Sequence, residues 1–107
     1  MHRYLFVPLI LLTSAAFAAA QVELKPQRKA EIIHLLKHDC GSCHGMRLEG
    51  GLGPALKPER LKNWSVEMLA ITIRYGRPGT PMPPWGPFLT EAEAVWLAQQ
   101  LKQGIQP

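Results

Sequence analysis

Two cysteines separated by two residues, with a histidine directly after, stand at Cys40-Gly41-Ser42-Cys43-His44. That spacing suits one chemistry above others, the covalent attachment of haem c. Thiols at this separation reach the two vinyl groups of one porphyrin, and the histidine is then held beneath the iron as an axial ligand. Cys40 and Cys43 are therefore expected to carry one haem, with His44 on its iron. A Cys-x-x-Cys pair also serves thioredoxin-like redox couples, which need a strand-rich chain, and no alternating strand pattern occurs here. Half of a zinc site is the other reading, but no second Cys pair or Cys/His cluster completes four ligands.

The stretch from Gly76 to Pro87 holds the next candidate. Five prolines (Pro78, Pro81, Pro83, Pro84 and Pro87) exclude a helix or a central strand. Prolines on both sides of Met82 hold its thioether in place with little entropy left to lose. Met82 is expected to be the sixth iron ligand, completing a His/Met pair. Met46 lies two residues from His44, tied to the same side of the haem, and Met68 falls mid-helix, where methionine more often fills a core. A metal-binding histidine also needs its other ring nitrogen engaged. The Pro54 carbonyl, on the glycine-rich loop Gly45–Pro54, is the expected partner, since proline stiffens the loop and leaves its C=O free.

Helices must position these groups. Pro26 suits a first helical turn, and Ala30, Ile33, Leu36 and Cys40 predict one apolar face ending on the first cysteine. Glu31, His34 and His38 fall on the opposite side, read as a solvated face rather than a metal clamp. Residues 57–63 read as polar surface. Ser65 is a good N-cap for a helix with Val66, Leu69, Ala70 and Ile73 inward. Met68, Ile71 and Tyr75 make a second stripe, which predicts cover on two sides, and Gly76 is a natural stop. Thr90 and Glu93 predict a capping box for a last helix with Ala94, Leu97, Ala98 and Leu101 inward, widened by Val95 and Trp96 and ending at Gly104.

The chain has 107 residues, enough for one small domain. Its first twenty read as a cleaved secretory signal: a positive start at Met1-His2-Arg3, an apolar run from Leu5 to Leu12, and small residues from Ala15 to Ala20. Cleavage is expected after Ala18 or Ala20, leaving a monohaem domain over 21–107. The apolar run is shorter than the roughly 20 residues of a membrane span, so no anchor is expected once the signal is gone. Export is expected to place the domain outside the cytoplasm. The net charge is +4, with 12 Lys and Arg against 8 Asp and Glu. No basic run or aromatic-basic interleaving occurs, so nucleic acid is not an expected partner. A chain this short buries a small core, and a haem would supply apolar volume that it lacks.

Taken in order, a helix, Cys40–His44, Gly53-Pro54-Ala55-Leu56, a helix ending in Tyr75-Gly76, Met82-Pro83 and a Thr90-capped helix resemble a class I cytochrome c. The resemblance implies an all-α fold, three to four helices around one covalent haem, with first and last helices crossing. It also implies His44 and Met82 on opposite haem faces, and Trp64 or Trp85 against the haem. Residues 45–56 and 76–85 resemble, more narrowly, the NirC or cytochrome c55X family, small periplasmic cytochromes of denitrifying bacteria. That implies a role beside dissimilatory nitrite reductase, as electron donor or in maturing its d-type haem. A monomer that carries single electrons and catalyses nothing is expected, because the proline loop offers no acid or base around an open iron site. Arg47, Lys57, Arg60, Lys62, Arg74 and Arg77 are the residues expected to meet an acidic redox partner.

Overall fold

The computed structural model describes residues 23–107; the expected signal segment lies outside them. Helix α1 runs Pro26–Leu35, with proline in its first turn. It passes without a break into a π turn, Leu36–Cys40, and then α2, Gly41–His44. After a loop come the short α3, Pro58–Leu61, then α4, Val66–Tyr75, and α5, Glu91–Gln103. No strand occurs among the described residues. With the continuous first helix counted once, these are four helical segments, and the fold is all-α.

The ends of these helices are set by side chains. Ser65 accepts from the Met68 amide at 3.1 Å, satisfying a donor that the first turn of α4 leaves free. At α5 both halves of the capping box form, Glu93 N–H to Thr90 Oγ1 at 3.2 Å and Thr90 N–H to Glu93 Oε1 at 2.9 Å. Gly104 closes α5 in the left-handed conformation, at φ 88°.

The core gathers Ile32 and Leu36 from the first helix, Leu61 from α3, Leu69, Ala70 and Ile73 from α4, and Ala94, Leu97, Ala98 and Leu101 from α5. Three expectations need correcting. The first helix buries Ile32 and Leu36, while Ala30 is exposed and Ile33 half-buried. Residues four apart share a helix face, so the inward line runs through Ile32 and Leu36 rather than through Ala30 and Ile33. Within the polar segment 57–63, Leu61 is buried against α5. Met68, Ile71 and Tyr75 are 53%, 59% and 66% exposed, so α4 is covered on one side only.

One clamp ties the two ends of the fold. Arg28 on α1 pairs with the buried Glu93 on α5, donates to the Phe88 carbonyl at 2.7 Å, and meets Glu31 at 3.0 Å. The guanidinium holds the Glu93 carboxyl below its usual range. Lys102 acts similarly at the other end of α5, where its ammonium donates to the carbonyls of Leu61 and Trp64.

Candidate haem site

Cys40 ends the π turn and Cys43 falls in α2, so the helix itself sets the two thiols on one wall. Both are half-buried and unpaired by any disulfide. Burial, helped by the Asp39 carboxylate, pushes the Cys40 thiol up to about 11.

His44 is oriented by the loop that follows it. The Gly53 and Gly50 amides donate to the carbonyls of Cys43 and His44, each at 2.8 Å, which folds the loop back under α2. That return places the Pro54 oxygen 2.7 Å from His44 Nδ1, the partner expected from the sequence. A carbonyl can only accept, so Nδ1 carries the proton and Nε2 holds the free lone pair. Gly53 makes the approach possible, since a β carbon there would lie 2.9 Å from ring atoms Cε1 and Nδ1.

The proline loop is stapled to the end of α4. The amides of Trp85 and Gly86 donate to the carbonyls of Ile73 and Arg74 at 3.0 and 2.9 Å. At its start the Arg77 amide donates to the Met82 carbonyl at 3.2 Å, and Thr80 Oγ1 accepts from the Met82 amide at 3.3 Å. Gly76, at φ 69°, admits this crossing, because a β carbon there would sit 2.7 Å from the Met82 oxygen. Met82 is thereby fixed by backbone hydrogen bonds as well as by prolines.

Cys40, Cys43, His44 and Met82 all line one cavity of about 480 Å³. Trp64 and Trp85 line it too, as do the core residues Leu36, Leu61, Leu69, Ile73, Leu97 and Leu101. The volume falls in the range of small-molecule and cofactor sites. Walls built from a small domain's own core suit a large apolar group, and paired thiols with an imidazole lone pair suit a metal porphyrin. The residues fit haem c.

Two families of site residue were not legible in the sequence. Leu36, Leu69, Ile73, Leu97 and Leu101 were read as helix faces only and Leu61 as polar surface, while Arg60 and Arg77 were named for docking alone and Thr72 not at all. Of the expected docking residues, Arg74 is correctly named as basic but is half-buried. Its guanidinium donates to the Leu89 carbonyl and lies 5.7 Å over the Tyr75 ring, and the half-buried Lys57 donates to Gln106 Oε1 at 3.3 Å, so these two are less free than the exposed Arg47, Arg60, Lys62 and Arg77.

A family model described as cytochrome c oxidase, cbb3-type, subunit III matches residues 27–100. Cytochrome c55X of Stutzerimonas stutzeri is 46% identical over 88% of this chain and 80% of that protein. The chain belongs to the cytochrome c55X family. Cytochrome c55X of Pseudomonas aeruginosa is 55% identical over 73% of this chain and 66% of its own length. Among solved structures, the c-type cytochrome NirC is similar at a TM-score of 0.76 and 52% identity, over 78% of this chain and all of that one. The dihydro-heme d1 dehydrogenase NirN is similar at 0.62 and 35%, over 67% of this chain but 16% of the larger protein. The class I cytochrome c fold and a role as an electron-transfer cytochrome follow from these likenesses.

Proposed function

We propose that this member of the cytochrome c55X family is a periplasmic carrier of single electrons. One haem c would be held through Cys40 and Cys43, with His44 Nε2 and the Met82 thioether available to its iron. When bound, haem c supplies a reversible one-electron iron couple. The observation that carries the reading is the convergence of all four residues on one apolar cavity, with His44 Nδ1 already engaged by Pro54. The chain's own residues do the rest. Pro54 holds the imidazole in one tautomer, and the stapled proline loop presents Met82 with little entropy to lose. The apolar walls exclude water, and a thioether ligand raises the potential over that of two histidines. The ligand loop, residues 76–87, carries no carboxylate or imidazole, which supports electron transfer without catalysis.

Arg60 and Arg77 are exposed at the cavity wall and suit a partner with acidic groups around its own electron port. Dissimilatory nitrite reductase is the proposed acceptor, supported by the likeness to NirC. A second reading, help in maturing that enzyme's d-type haem, is favoured by the likeness to part of a dihydro-heme d1 dehydrogenase. Gene deletion separates them. An intact but electron-starved reductase supports the carrier, and a reductase lacking its d-type haem supports maturation.

Spectra test the ligands. The oxidised protein is expected to show a thioether–iron charge-transfer band that Met82→Ala abolishes; persistence of the band in the variant removes Met82 from the iron.

A further inference from the structure

Away from the haem cavity, the side chains with unused ligand chemistry are His34 and His38. Both are exposed, and among the described residues neither ring makes a hydrogen bond. Their ring centres lie 4.3 Å apart with planes inclined at 45°. The backbone contributes to this closeness. His34 belongs to α1 and His38 to the π turn, whose amides reach back five residues and bring a residue at i+4 more nearly in line with residue i.

That separation has a coordination meaning. A metal–nitrogen bond of about 2.0 Å puts an imidazole centre about 3.2 Å from the ion, so rings at a right angle have centres about 4.5 Å apart. At a tetrahedral angle the centres would be about 5.2 Å apart. The observed 4.3 Å is nearer the right-angle value than the tetrahedral one. Two exposed imidazoles four residues apart on one helix, with solvent free to fill the other positions, suit the tetragonal preference of copper(II) or nickel(II) over tetrahedral zinc. Glu31 does not make a third ligand, because its carboxylate is paired with Arg28 at 3.0 Å.

We propose that His34 and His38 form an exposed two-nitrogen chelate for a divalent cation of tetragonal preference, copper(II) before nickel(II), with water completing the coordination. The order of the two follows the general rise in divalent affinity up to copper. The site stands apart from the haem reading, since it uses neither the cavity nor its four residues.

The test uses the untagged protein with its haem attached and kept ferric, so that the added copper is not reduced. Titration with CuCl2 is followed by electron paramagnetic resonance, where the copper signal is separate from that of low-spin ferric haem. A single saturating tetragonal signal with coupling to imidazole nitrogens is expected. His34→Ala and His38→Ala should each weaken binding roughly tenfold or more. Both variants should keep the wild-type haem spectrum and helical circular dichroism. Zinc should displace the copper only in large excess. Binding that never saturates, wild-type affinity in both variants, or zinc competing as an equal would each overturn the proposal.

Discussion

At the scale of single residues, the site rests on contacts with no slack. Gly53 is the clearest case, because a β carbon there would press on the His44 ring at 2.9 Å, and that ring is held at 2.7 Å by Pro54. Gly53→Ala must move the loop or the ring. The cost expected for such overpacking is about 1–3 kcal/mol. In a domain of this size each kcal/mol lowers the melting temperature by roughly 4–8 °C. Thermal melting followed by circular dichroism reads this directly, and a variant melting with the wild type would show that the contact is not tight. The cysteine motif, the histidine and the methionine could be singled out as a proposed haem-holding set because their chemistry is written in residue type and spacing, and the structure brings them to one cavity. Arg60 and Arg77 were not, since nothing about an isolated arginine says which cavity it will border.

Elements were legible where local signals settle them. Ser65, Thr90 with Glu93, and Gly104 each satisfy backbone groups at a helix end, and such bonds depend on residues at most a few positions away. Burial was less legible. The Met68, Ile71 and Tyr75 stripe has the right period for a covered face, yet no element packs on it among the described residues. Period tells which residues share a face and leaves open what covers the face. Ile71→Lys is therefore expected to change unfolding free energy by no more than about 0.5 kcal/mol, as for exposed sites generally. Denaturant unfolding checks it, and a loss of about 2 kcal/mol or more would mean the face is covered in solution. The π turn was also out of reach, because a widened turn has no signature in residue spacing.

For the whole molecule, two dependences follow. The first is on pH. Glu93 has its carboxyl pKa below the usual 4.5 in the folded chain, held there first by Arg28. Its contribution to stability is complete above the unfolded value and is lost as the pH falls through the lower folded value. Wild type should thus lose more melting temperature than Glu93→Gln between about pH 6 and about pH 3. Parallel losses in the two proteins would remove the clamp as a source of acid sensitivity. The second dependence is on the haem. Leu36, Leu61, Leu69, Ile73, Leu97 and Leu101, half of the buried core residues, line the cavity, so a bound haem would complete their packing. Cys40→Ala with Cys43→Ala is expected to retain no haem after denaturing extraction and to lose the cooperative thermal transition. Haem that survives extraction would overturn covalent attachment at these cysteines.

By itself, the sequence determined which residues are candidates for the site, the helix ends and the family likeness. Each of these depends on identity and on neighbours a few positions away. Only the tertiary structure decided which walls close around Cys40–His44, that Gly76 lets Met82 cross behind α4, and that one side of α4 stays open. Those outcomes are set by how the helices and loops pack on one another, which no local pattern encodes.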